Sequence, residues 1–138
     1  MKRPTRLLLT IPVLALLLAC RPAALAPDAP DTADTRAVLG FLEAYGRRDL
    51  DGMMRFLTAD AVFRGSGREL SKPEIRAFFQ ATFQKHPGLR VEIGALRVIQ
   101  GAVHARVTVR TDGIWTDTWI FEMREHRIRA YSLASGRR

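Results

Sequence analysis

Only one cysteine, Cys20, occurs in the 138 residues, so no disulfide can close within one molecule. Histidine is scarce as well. His86, His104 and His126 are dispersed, and no pair has the spacing that sets two imidazoles on one face with a third ligand nearby, so neither a metal site nor a cofactor is expected. Lysine is reduced to Lys2, Lys72 and Lys85, leaving arginine to supply most of the 22 basic residues that stand against 14 acidic ones. These arginines are scattered with no run longer than a pair, which gives no basic tract for nucleic acid. No apolar stretch reaches the roughly 20 residues of a membrane-spanning helix. What is present is a 47% hydrophobic composition, too high for a disordered chain. The length allows one domain, able to bury roughly two thirds of its unfolded surface without disulfides or metal.

The N-terminus has the order of an export signal. Lys2, Arg3 and Arg6 precede an apolar run over residues 7–19 that only Thr10 and Pro12 interrupt. That length suits a cleaved leader and is too short for a permanent span. Leu17-Leu18-Ala19-Cys20 closes it, and this resembles the lipobox of bacterial lipoproteins. The resemblance implies that residues 1–19 are removed and that the Cys20 thiol takes a diacylglyceryl group, with a fatty acyl chain of the palmitate kind added at the new amino terminus. Two or more chains hold a protein on a bilayer where one is marginal, because each buried methylene contributes about 0.8 kcal/mol. Arg21 stands where an aspartate retains some enterobacterial lipoproteins in the inner membrane. The implied address is therefore the cell envelope, on the periplasmic face of the outer membrane.

Residues 20–33 carry Pro22, Pro27 and Pro30 among alanines and aspartates without apolar periodicity. This composition predicts a proline-stiffened tether, followed by one domain over 34–138. Asp34 is a candidate N-cap for a helix whose Val38, Phe41, Leu42 and Tyr45 share a face. Asp49 can cap a second, short helix bearing Leu50, Met53, Met54 and Leu57. Ser71 and Glu74 form a capping box with Pro73 in the first turn of a third, ahead of Ile75, Phe78, Phe79 and Phe83. Residues 61–63 make a short strand between the second and third helices. After Pro87 the pattern changes to period two, with strands expected over 89–99, 102–110, 114–124 and 127–134.

Helices first and a strand meander afterwards predict an α+β domain, three N-terminal helices packed in the concave face of a curved antiparallel sheet. The segments Phe41-Leu42-Glu43-Ala44-Tyr45, Leu57-Thr58-Ala59-Asp60-Ala61-Val62-Phe63, Ile75-Arg76-Ala77-Phe78-Phe79 and Thr116-Asp117-Thr118-Trp119-Ile120-Phe121 resemble the nuclear transport factor two-like superfamily, which includes SnoaL-like and ketosteroid isomerase-like proteins. The resemblance implies a cone-shaped scaffold with a ligand pocket, here Phe41, Tyr45, Phe63, Phe79, Trp115, Asp117 and Trp119. It also implies a homodimer through the convex sheet face, where Tyr131 and Leu133 would be exposed if Ile128, Ala130 and Ser132 face inward. The isomerases' tyrosine, general-base aspartate and late-strand acid fall at Phe41, Gly65 and about Trp119. Phenylalanine and glycine cannot exchange a proton, so that mechanism does not carry over.

Tyr45, one turn from Phe41, can offer a hydroxyl to the same cavity. The direction of Asp117 depends on a turn. A two-residue Asp112-Gly113 hairpin puts it with Arg106, Thr108 and Arg110. A three-residue Thr111-Asp112-Gly113 loop, with Gly113 left-handed in a bulge, puts it with Val107, Trp115 and Trp119. The second register groups valines with aromatics and is the preferred one. Inside an apolar cavity Asp117 is a candidate general acid or hydrogen-bonding anchor. Ser66, in Gly65-Ser66-Gly67, lacks the strand, elbow and helix of a serine nucleophile. The Met53-Met54 and Phe78-Phe79 pairs are expected in the core and cavity wall.

Three functions fit these residues. The first is a lipid-anchored module binding a small apolar or amphipathic molecule. The second is an enzyme that uses Asp117 with Tyr45, and the third an envelope assembly protein whose cavity is filled by its own side chains. An open apolar pocket containing Asp117 favours the first two.

Overall fold

A computed structural model describes residues 30–65 and 67–137. The leader, Cys20, most of the tether and Ser66 lie outside the described residues.

Helix α1 (Ala33–Gly46) is capped by Thr32 rather than Asp34. Thr35 N donates to Thr32 Oγ1 at 3.2 Å, and Thr32 N donates back to Thr35 Oγ1 at 3.0 Å. The Thr35 hydroxyl also donates to Pro30 O at 2.6 Å, which fixes the helix start two residues earlier than the acidic residue suggested. Asp34 sits in the first turn, where its charge meets the positive end of the helix dipole. The apolar face is the expected one, with Val38, Phe41, Leu42 and Tyr45 all buried. Asp49 caps α2 (Leu50–Arg55) by accepting from Gly52 N at 2.9 Å. In α3 (Lys72–Lys85) the Glu74 carboxylate accepts from Ser71 N at 2.8 Å, and Pro73 occupies the first turn.

Six strands form one sheet: β1 (Leu57–Arg64), β2 (Glu69–Ser71), β3 (Arg90–Ile99), β4 (Ala102–Arg110), β5 (Ile114–Arg124) and β6 (Arg127–Leu133). Their order is β2-β1-β6-β5-β4-β3. The sheet is mixed, not antiparallel throughout. Strand β6 returns beside β1 in the same direction, an arrangement that local periodicity does not reveal. Pairing on two sides also makes β1 longer than the expected 61–63, and Leu57 belongs to it rather than to α2. The hairpins β3–β4 and β5–β6 turn on Gln100-Gly101 and Glu125-His126, with positive φ at all four residues, as a two-residue turn matched to strand twist demands.

The β4–β5 register pairs Arg110 with Ile114 and Val107 with Asp117, so the loop is the three-residue one. Gly113 does not take the left-handed conformation. The loop is held through Thr111 instead, whose N–H donates to Gly113 O at 2.9 Å. Between β5 and β6 the register shifts, Met123 pairing with Ile128 but Glu122 with Ala130. Arg129 is the extra residue of this bulge, and the side chains beyond it change face. Tyr131 and Leu133 therefore pair with the inward Phe121 and Trp119, reversing the expectation that they are exposed. Tyr131 is buried. The outer face carries ion pairs at that place: Glu122 receives Arg64 at 2.8 Å and Arg129 at 2.9 Å.

The core lies between α1, α3 and the inner sheet face. Phe41, Leu42, Phe79, Phe121, Leu96 and Ile128 are all at most 1% exposed. Phe41 meets Phe79 and Phe121 edge-on at centroid distances of 6.3 and 5.9 Å, the arrangement that ring quadrupoles favour.

Candidate functional site

A cavity of about 1060 Å³ opens between α3, the last turn of α1 and the inner face of β4, β5 and β6. Alternation along β4 and β5 turns Val107, Val109, Trp115, Asp117 and Trp119 to this side. Helical spacing on α1 and α3 adds Tyr45 and Phe79, and Phe63 comes from β1. The inner wall is aromatic. Tyr45 and Tyr131 both lie against Trp119, at centroid distances of 5.7 and 5.8 Å, and Phe63 stacks on Tyr131 at 4.7 Å.

At the mouth the surroundings change. Trp115 is 74% exposed, and Ile114 and Phe78 are also exposed. Phe78 is thus a rim residue, whereas Met53, Met54 and Phe79 are buried as expected. Lys85 and Asp112 add charge beside them, and His86 a polar ring. The His86 Nδ1 lies 3.8 Å from Asp112, and Asp112 is held below the usual carboxylate range by a Thr111 hydrogen bond and by neighbouring backbone and charge.

Of the seven pocket residues expected, Tyr45, Phe63, Phe79, Trp115, Asp117 and Trp119 line the cavity. Phe41 does not; it faces the solid core one turn earlier on α1. Tyr131, Leu133 and Ser135 line the cavity unforeseen. Tyr131 was hidden by the bulge at Arg129, and no local pattern marks Ser135 as a wall residue.

Asp117 points inward but is not a free carboxylate between two tryptophans. Its Oδ1 accepts from Thr118 N at 2.8 Å and from Ser135 N at 3.3 Å, and its Oδ2 accepts from the Ser135 hydroxyl. Ser135 belongs to a 3-10 helix, Ala134–Arg137, that follows β6. Asp117 therefore fastens the C-terminal turn beside the cavity. Tyr45 is buried, and burial pushes its phenol up to about 12. Tyr131 is raised further, by burial first and by the neighbouring Tyr45 second. Both phenols are neutral donors at any ordinary pH and neither can serve as a base.

The three positions that match the isomerases' catalytic groups carry no titratable side chain. Phe41 is core, Gly65 ends β1's approach to the loop with its N–H donating to Arg68 O at 3.2 Å, and Trp119 is cavity wall. The histidines stay apart. His126 pairs with Asp34 at 2.9 Å on the far end of the domain, and His104 lies on β4 between Arg97 and Ile120. Among the described residues no three His, Cys, Asp or Glu side chains gather to hold a metal ion.

Residues 38–131 match the family model of the SnoaL-like domain. The chain belongs to the SnoaL-like family. Its cone of three helices on a curved six-stranded sheet has close counterparts among solved structures. A cystatin-fold protein from Novosphingobium aromaticivorans is 16% identical with a TM-score of 0.67, covering 74% of this chain and 97% of its own. An epoxide hydrolase from M. tuberculosis is 21% identical with a TM-score of 0.61, over 75% of this chain and 84% of its own. A de novo designed protein with a curved β-sheet reaches 0.65 at 17% identity, over 75% and 85%. Similarity that extends to a designed chain establishes the SnoaL-like domain's shape and leaves its chemistry to the cavity. No curated protein matches the SnoaL-like chain by sequence.

Proposed function

We propose that this SnoaL-like domain is the binding module of an envelope lipoprotein, held to the membrane through lipidated Cys20 and carrying a small apolar or amphipathic molecule in its cone. The observation that carries the reading is the aromatic-walled cavity of about 1060 Å³. A volume of this order suits a drug-sized ligand, and apolar walls with few polar groups are the usual construction of such sites. An assembly protein with a filled interior is disfavoured by the same open space. The enzyme reading loses its main candidate, since the Asp117 carboxylate is occupied by Thr118 and Ser135. It also lacks an ionisable group at the three positions that match the isomerases.

Two measurements test the two halves of this reading. Native mass spectrometry of the full-length protein extracted from membranes should show a bound small molecule that is released on unfolding. Intact-mass analysis should show a chain that begins at Cys20 and carries diacylglyceryl and acyl groups. An empty cavity in the first experiment removes the binding function. A free thiol, or a retained leader, removes the membrane address while leaving the cavity's role intact.

A further inference from the structure

Two polar atoms stand out in the apolar wall. Tyr45 and Tyr131 are 5% and 3% exposed, and neither hydroxyl forms a hydrogen bond with the protein among the described residues. At the same time, no buried side-chain nitrogen or oxygen among the described residues is without a partner. Both conditions hold only if the two phenolic oxygens reach the cavity surface while their rings stay packed. Both residues line that cavity, and both rings lie against Trp119. A phenylalanine at either place would fill the same volume without a polar atom. A hydroxyl left without a protein partner in apolar surroundings costs stability that a ligand can return by bonding to it.

We propose that Tyr45 and Tyr131 form a two-donor floor that takes a neutral oxygen, such as a ketone or ester carbonyl, at the buried end of the ligand. This rests on the reading that the cavity binds a small molecule and narrows its class. A carbonyl oxygen has two lone pairs and can accept from both phenols at once. A pure hydrocarbon would leave both donors unmet. A carboxylate would enter without a cation to balance it, because Lys85 is at the mouth, and burying an unpaired charge is costly. The ligand is thereby oriented, with the neutral oxygen inward and any charged group outward beside Lys85.

Three naphthalene probes of similar shape separate these cases when titrated calorimetrically into the full-length protein: 2-acetylnaphthalene, 2-isopropenylnaphthalene and 2-naphthoate. The ketone should bind about tenfold more tightly than the hydrocarbon, as expected for two modest hydrogen bonds, and the carboxylate, turned with its charge to the mouth, should also bind more weakly than the ketone because it leaves both phenols unmet. The Tyr45→Phe/Tyr131→Phe double variant should bring the ketone to the hydrocarbon's affinity and leave the hydrocarbon within about twofold. Equal binding of ketone and hydrocarbon to the unaltered protein overturns the two-donor floor and leaves the binding function standing. Failure of all three probes to bind overturns the binding function itself. A readout without any variant is the infrared carbonyl stretch of bound 2-acetylnaphthalene. It should fall below its position in hydrocarbon solvent, and an unshifted band overturns the assignment.

Discussion

At the scale of single residues, Tyr45 shows how burial becomes a pH effect. Its folded-state value is pushed from 10.0 to about 12 because the phenolate would lose its water. The unfolded chain ionises first as pH rises, so the folded state is fully favoured below about 10 and loses stability between about 10 and 12. Thermal melts of Tyr45→Phe should decline less over this interval than those of the parent, and tyrosinate absorbance should lag behind that of free tyrosine. Parallel alkaline decline in both proteins would contradict the burial. Phe41 makes the opposite point, since it has no polar atom and no cavity beside it. Replacing it by alanine should cost about 3–5 kcal/mol, read as a fall in denaturation midpoint, because α1 loses its ring contacts with Phe79, Phe121 and Tyr131 together.

At the scale of elements, caps and bulges decide the boundaries. The Glu74 carboxylate closes the capping box of α3, also receives Arg68 at 2.6 Å, and is held below its ordinary range chiefly by the Ser71 backbone bond. Glu74→Ala should lower the urea unfolding midpoint, because the Ser71 N–H loses its cap, with little change in the shape of the cavity. This helix start was legible from Ser71, Pro73 and Glu74 alone, and the four long strands were legible from period-two alternation between turn residues. Alternation is local, which is also why it failed at two places. It could not show β1 lying parallel to β6, a pairing between segments far apart in the chain. It also cannot show the extra residue at Arg129, so strict alternation puts Tyr131 and Leu133 on the outer face and conceals a cavity-lining phenol. The Thr32 cap escaped for a similar reason, because the decisive bond runs from Thr35 back to Pro30.

At the scale of the whole molecule, the two ends of the cone differ. The cavity mouth is at the β4–β5 hairpin, with Ile114 and Trp115 exposed. The β5–β6 hairpin lies at the other end of β5, where His126 meets Asp34 in the first turn of α1. Eleven residues of β5 separate these ends, roughly 36 Å at about 3.3 Å each. The chain enters the domain at the end remote from the mouth. If Cys20 carries the proposed lipid, then in vesicles bearing the protein aqueous iodide should quench Trp115 and lipids brominated in their acyl chains should not. Strong quenching by the brominated lipid would place the rim in the bilayer instead. If the anchor proposed at Cys20 holds, the mooring is at one pole and the doorway at the other, and cargo is exchanged on the side turned from the membrane.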